Sequence, residues 1–464
     1  MFTLSQKYNP NYLAQIVMIG NVQPVPNSDN LVMTMVQGNA VVTGKGVNQG
    51  DIMVYFPVEC QLSDWYLKAN NLYRDSTLNE DPTQKGFFEL NGRVRCIKLR
   101  QQPSMGLLMP MSSFNSGSDL DIDKDLIGKE FDTFKNDLLV KKYIPKYTRT
   151  PGQPNSKAGK KAKEKAYSKV IENQFRFHID TPQFGKNFHR FRPDDIIQIT
   201  GKMHGTSGIS SYVKCKTKPN RINNIVAALT NWTYNAVVNL FAKTFYVAGP
   251  VDEVYDYIYS SRRVIKNDYK KAESGYYKSD IWGFAHNVVE PALKKGMTMY
   301  YEILGYLPTG EYIQKGFDYG CTKPELFSTY YEHGIHYKVM VYRITMTNDD
   351  GDVYEFSAKQ VQEYCQHNML TAVPEYFYGK AKDILAQKLD MSLDLWQEMF
   401  LQKLKDLFLE KDCSFCKNNV PDEGVVIRKD GLFLDVYKLK SFRFLKKETE
   451  ELDTDEFNIE DDDI

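Results

Sequence analysis

The chain contains no run of the roughly 18 consecutive apolar residues that a membrane-crossing helix requires. Its first residues, Met-Phe-Thr-Leu-Ser-Gln-Lys-Tyr-Asn-Pro, also lack the apolar stretch of a signal peptide. The expectation is a soluble, cytoplasmic protein with no membrane partner, acting as a monomer. Cysteine is scarce: seven residues, an odd number scattered through a long chain, argue for reduced thiols and against a disulfide framework. The single C-x-x-C, Cys413 and Cys416, has no second pair and few histidines near it, so packed thiols fit better than a structural zinc. Net charge is missing too. Lys+Arg and Asp+Glu both number 59, which leaves no global attraction for nucleic acid.

What is present is unevenly placed. Residues 141 to 170 carry a net charge of +9, and residues 448 to 464 hold ten acidic residues and no basic one. With 464 residues and 42% hydrophobic content, the chain can bury two or three cores. From Leu13 to about Pro110 short apolar runs alternate with turn residues: 14–19, 31–36, 40–42, 52–56, 93–99 and 107–109. Such a series predicts a small OB-type barrel over residues 1–135. Arg93 and Arg95 share one face of a predicted strand, either as a nucleic-acid contact or as a solvated face. Residues 136–170 are rich in Lys, Pro and Gly and poor in large aliphatics, which predicts a basic flexible linker. An acidic tail is expected over 448–464.

The segment 171–447 carries the chemistry. Ile196, Ile197 and Ile199 predict a buried strand that ends at Thr200-Gly201-Lys202, followed by the small residues Gly205 to Gly208, which would let backbone approach a phosphate. Lys202 is the candidate nucleophile, since an amine at that junction stands beside a ligand. Helical spacing is expected at 225–240 and from about Pro374 to Leu409, the latter with Trp396, Met399, Phe400, Leu404 and Leu407 inward. Further on, Val254 to Lys266 carries Ser260-Ser261-Arg262-Arg263, and Glu302 interrupts the apolar run Met299–Gly305. A carboxylate there is costly unless paired or metal-bound. Tyr342 lies on another strand, Glu423 opens a β-branched one, and Lys438 and Lys440 share a face. A lysine, an arginine, two carboxylates and two more cations suit a triphosphate with a divalent metal.

In order, Lys202-Met203-His204-Gly205-Thr206, Ser261-Arg262, Tyr301-Glu302-Ile303-Leu304-Gly305, Glu423-Gly424-Val425-Val426 and Lys438-Leu439-Lys440 resemble motifs I, Ia, III, IV and V of covalent nucleotidyltransferases, specifically ATP-dependent RNA ligases. Lys-x-His-Gly-Thr is the motif I form of the RNA ligase 2 and RNA-editing ligase groups. The N-terminal segment, with Gly50-Asp51-Ile52-Met53-Val54-Tyr55-Phe56-Pro57 and Gly92-Arg93-Val94-Arg95-Cys96-Ile97-Lys98-Leu99-Arg100, is similar to the OB module of the RNA ligase 5 family. The resemblance implies an α+β fold, an OB-type β-barrel followed by an antiparallel-sheet nucleotidyltransferase domain with helical insertions. It also implies an enzyme that uses ATP and Mg²⁺ or Mn²⁺ to join 3′-hydroxyl and 5′-phosphate ends of RNA, at nicks in a duplex, through a lysyl-AMP and an adenylylated RNA. Lys202 would be catalytic. Thr200, Gly205, Arg262, Glu302, Tyr342, Glu423, Lys438 and Lys440 would bind the nucleotide, with Arg262 and Glu302 at the ribose, Tyr342 on adenine, the two lysines on the α-phosphate, and Glu302 and Glu423 toward the metal. Gly201 stands where many relatives have glutamate, and His204 where the relatives with an N-terminal OB module have aspartate. The short run after Lys440 leads us to expect no C-terminal OB domain of the DNA-ligase or capping-enzyme kind. A DNA or mixed-strand ligase is the same-chemistry alternative; a nucleic-acid-binding protein with a degenerate transferase half is the alternative of another class.

Overall fold

The fold is taken from a computed structural model that describes residues 2–114, 124–144, 168–217, 253–268, 279–325, 330–385, 391–431 and 433–453. The helix expected at 225–240, most of the basic linker and the acidic residues beyond Asp453 lie outside the described residues.

The N-terminal half is antiparallel β structure built on the strand Ile52–Phe56, which pairs with Ala14–Met18 on one side and Leu107–Pro110 on the other. That strand is central and covered on both faces, which is why its sequence is an unbroken apolar run. Val54 and Phe56 face a core with Ile16, Tyr66, Phe131 and Phe134; Met53 and Tyr55 face a second one with Ile19, Val41 and Leu108. The strands Val22–Pro24, Leu31–Val36 and Asn39–Gly44 form an adjoining sheet. Residues 136 to 144 do not begin a linker as expected. Val140–Lys142 pairs antiparallel with Cys60–Leu62, and Tyr143 N donates to Glu59 O at 2.9 Å, so this segment is stitched into the N-terminal half.

The second half has two antiparallel sheets. The smaller runs Glu375–Lys380, Ile196–Gly201, Gly424–Lys429, Asp435–Lys440. Period-two alternation divides its side chains. Ile197, Ile199, Val425, Ile427, Tyr437 and Leu439 point to a core completed by Trp396, Phe400 and Leu404 of the helix Leu393–Phe408. The larger sheet runs Glu253–Ser261, Thr206–Lys216, Met297–Gly305, Tyr337–Thr347, Val353–Glu355 and buries one face under the helices Ile281–Val289 and Ala358–His367.

Two expectations change. The helix predicted from Pro374 spans only Leu393–Phe408; Glu375–Lys380 is an edge strand beside Ile196–Thr200. Its inward face is Trp396, Gln397, Phe400, Leu401 and Leu404, at i, i+4, i+8 spacing, and this turns Met399 and Leu407 outward. Nor does an acidic tail begin at 448. Glu448, Thr449 and Leu452 are buried on the helix Phe442–Asp453, which packs against the N-terminal half beside Cys96.

Candidate active site

Lys202 follows the last residue of Ile196–Gly201. Its backbone N–H donates to Gly424 O at 2.9 Å, and that of Gly201 to Pro374 O at 2.9 Å. The turn that follows is tied from several sides. Tyr319 OH meets both His204 N and His204 O at 3.0 Å, Gln314 Nε2 donates to Gly205 O at 2.6 Å, and Gly205 N donates to Glu302 Oε1 at 3.1 Å. Glycine at 205 is thus explained by packing. A Cβ there would fall 2.4 Å from Ile303 O, the N–H is already used, and the following Thr206–Lys216 is a regular strand. The expected small-residue phosphate cradle is not formed, and Gly205 stands behind the cavity wall.

The cavity opens between the two sheets. From the smaller sheet Gln198, Thr200, Gly201, Lys202, Val426, Arg428, Lys438 and Lys440 line it, the face opposite to the one packed on the helix Leu393–Phe408. From the larger sheet and its turns come Ser207, Arg262, Glu302, Tyr342 and Arg343. Tyr342 and Arg343 are consecutive yet both reach the cavity. The cause is a β-bulge: Tyr300 pairs with Arg343 and Tyr301 with Val341, which leaves Tyr342 as the extra residue. Tyr342 OH is 3.2 Å from Ser207 Oγ, and Arg343 is held by a buried pair with Glu355 and lies over the Tyr300 ring.

Charge is arranged around one carboxylate. Glu423 is 2% exposed, and its Oε1 lies 2.6 Å from Lys202 Nζ and 3.2 Å from Lys440 Nζ. Glu423 does not line the cavity; it bridges the two lysines from beneath. His204 turns away as well, edge-on to Phe317 and Phe444, with Nδ1 3.8 Å from Glu423. Lys438 keeps part of its surface open to the cavity, but burial, with Lys440 and Lys202 close by, pulls its ammonium down to about 7. Asp180 pairs with Arg262. Burial pushes that carboxyl up, but Arg262 and Lys438 outweigh it and hold it at about 2. His178, edge-on to Tyr342 at 5.5 Å, is lowered to about 3 by burial and then by Arg262 and Arg343, so it is a neutral ring in a cationic corner.

Of the residues expected from the sequence, Thr200, Lys202, Arg262, Glu302, Tyr342, Lys438 and Lys440 meet on one cavity, Glu423 supports it, and Gly205 is outside it. Among the described residues no group of three His, Cys, Asp or Glu could hold a metal by itself. Glu302 on the cavity and Glu423 beneath it are the carboxylates that would fit a divalent cation keeping other ligands of its own. Gly201 lines the cavity, and a Cβ there would stand 3.1 Å from Tyr376 OH. Arg93 and Arg95 do not form a nucleic-acid face. Arg93 is enclosed in pairs with Glu59 at 2.9 Å and Asp453 at 3.4 Å, and Arg95 reaches Asp453 at 3.2 Å.

The sequence pointed to 171–447 for the chemistry and gave no sign of Tyr12, Glu59, Lys142 and Tyr143, which line the cavity from the N-terminal half. No local pattern marks them. Asp180 and His178 were also missed, although a charged residue in Phe-His-Ile-Asp beside the polar Thr181 could have drawn notice.

A family model described as an OB-fold domain matches residues 13–111. The whole chain is similar in fold to Naegleria gruberi RNA ligase. A lysine-to-methionine form of that protein with AMP and Mn aligns with a TM-score of 0.52 at 14% identity, covering 94% of this chain and 98% of that one. A form with ATP and Mn gives 0.51 at 15%, with 96% and 99% covered, and one with PPi gives 0.51 at 14%, with 95% and 99% covered. No curated protein matches the chain. The fold is therefore an N-terminal OB domain followed by an antiparallel-sheet domain of the kind found in that ligase.

Proposed function

We propose that the protein is an ATP-dependent RNA ligase of the covalent nucleotidyltransferase superfamily, nearest to the RNA ligase 5 group, working as a cytoplasmic monomer on 3′-hydroxyl and 5′-phosphate RNA ends at nicks. The observation that carries this reading is the convergence of Lys202, Arg262, Glu302, Tyr342, Lys438 and Lys440 on one cavity between two sheets, with Glu423 joining two of the lysines. The shared fold with a ligase whose solved forms hold ATP, AMP and PPi supports it.

In this reading Lys202 Nζ attacks the α-phosphorus of ATP, a P–N bond forms, and the P–O bond to pyrophosphate breaks. Glu423 is in place to accept the proton that the ammonium must lose before its lone pair can attack. Lys438 and Lys440 face the phosphate, where positioned cations act on charge as it builds. Tyr342 offers a ring to adenine, and Glu302 and Arg262 offer an acceptor and donors to the ribose. Glu302 and Glu423 are the acidic groups toward a divalent cation, Mg²⁺ or Mn²⁺, which supplies charge neutralisation on the triphosphate. The AMP then passes to an RNA 5′-phosphate, and a 3′-hydroxyl displaces it.

The test is mass spectrometry after incubation with ATP and Mg²⁺: a covalent AMP adduct on the full chain that Lys202→Ala lacks. Absence of the adduct from the unaltered chain would favour a non-catalytic nucleic-acid-binding protein. Matched RNA, DNA and mixed nicks, sealed side by side, decide among strand types.

A further inference from the structure

Glu448 stands on the helix Phe442–Asp453, lines the cavity, and places both carboxylate oxygens 3.1 Å from Lys440 Nζ. Its side chain is 8% exposed. A carboxylate so buried is costly unless paired, and its partner here is one of the cavity lysines. Lys202 and Lys440 contact the same oxygen of Glu423, Oε1. With Glu448 gone, Lys440 loses one of the two carboxylates it shares and leans more on the Glu423 oxygen that Lys202 also uses.

The helix that carries Glu448 is fixed at both ends. At its start Glu410 accepts from Phe442 N at 2.6 Å and Arg443 N at 3.2 Å, and Ser441 Oγ accepts from Phe444 N at 3.1 Å. These bonds satisfy amide groups that a helix N-terminus otherwise leaves open. At its far end Cys96 N donates to Thr449 Oγ1 at 3.3 Å, Thr449 Oγ1 donates to Glu59 Oε1 at 3.3 Å, and Arg93 joins Glu59 to Asp453. In between, the Phe444 ring lies 5.0 Å from the Lys440 ammonium.

We propose that Glu448 is a positioning residue for nucleotidyl transfer, fixing the Lys440 ammonium between itself and Glu423 at the cavity, and that the N-terminal half keeps Glu448 there through Arg93, Glu59 and Asp453. This rests on the reading of the cavity as an ATP site. Lys440 faces Glu448 from the helix, Glu423 from the neighbouring strand, Lys438 on its own strand, and Lys202 across Glu423.

The test is single-turnover lysyl-AMP formation by the full chain with Mg²⁺ over a range of ATP concentrations, comparing unaltered protein with Lys440→Ala, Glu448→Gln and Asp453→Asn. Glu448→Gln is expected to lower the rate at saturating ATP about tenfold, less than the roughly 10²–10³-fold for loss of a direct oxyanion donor. The half-saturating ATP concentration is little changed. Asp453→Asn leaves every cavity group in place and lowers the same rate by a smaller factor; it carries the test if Glu448→Gln does not fold. Rates equal to that of the unaltered protein, or a faster Glu448→Gln, overturn the proposal. No adduct on the unaltered protein overturns the ligase reading itself.

Discussion

Lys202 is tied by its backbone to Gly424 and presents a side chain that is 18% exposed, so it contributes little packing. Lys202→Ala is expected to abolish the AMP adduct and, by taking one of two lysines from buried Glu423, to lower the melting temperature while the fold is kept, which circular dichroism checks. Loss of Glu423 acts on two lysines at once. Glu423→Ala should slow adduct formation by about 10²-fold or more, since oriented groups around a phosphate each contribute that much in a dry site; rapid-quench kinetics measures it. Lys438 gives a pH signature. Its ammonium is held at about 7, against about 10.4 in an unfolded chain. Between those values the unfolded state binds a proton that the folded state lacks, so this residue makes stability rise with pH through that window. On the proposed ligase reading a bound triphosphate would restore the charge, so ATP binding above pH 7 should take up a proton, and calorimetry in buffers of different ionisation enthalpy should lose that uptake in Lys438→Met. The motif lysines were legible from the sequence because their spacing follows strand ends. Lys142 and Glu59 were not, because a cavity assembled across two halves leaves no mark within either.

At the scale of elements, the close approach of Gly424–Lys429 to Asp435–Lys440 depends on Gly424. Its φ is +129°, and a Cβ would lie 2.1 Å from Leu439 O. Gly424→Ala should destabilise the fold by about 1–3 kcal/mol, seen in chemical denaturation, and weaken adduct formation, because Gly424 O holds Lys202 N. Strands covered on one or both faces were readable almost to the residue, as Leu31–Val36 and Ile52–Phe56 show. Glu375–Lys380 was not, because alternation on an edge strand with exposed tyrosines resembles the polar start of a helix. The helix Phe442–Asp453 was hidden by composition. Its acidic residues read as a solvated tail, whereas Phe442, Phe444, Leu445 and Leu452 fix it in the fold.

For the whole molecule, the chemistry was expected from 171–447, whereas Tyr12, Glu59, Lys142 and Tyr143 of the N-terminal half also wall the cavity. Deletion of residues 1–144 should leave a chain that forms little or no AMP adduct, checked alongside circular dichroism. The acidic block is best tested by truncation after Asp453, which removes six acidic residues and no described contact. RNA binding should tighten at low salt and show a steeper salt dependence if those carboxylates compete with phosphates. Superimposable salt plots would rule the competition out. Arg93, enclosed between Glu59 and Asp453, carries one more consequence. Domains fold largely in order as a chain emerges from the ribosome. The N-terminal half can pack early, yet its arginine must wait hundreds of residues for the aspartate that completes its pairing. A nascent chain halted anywhere before the last helix would therefore leave the cavity without Glu448, and Arg93 with Glu59 but without Asp453, so premature termination here should yield less stable products.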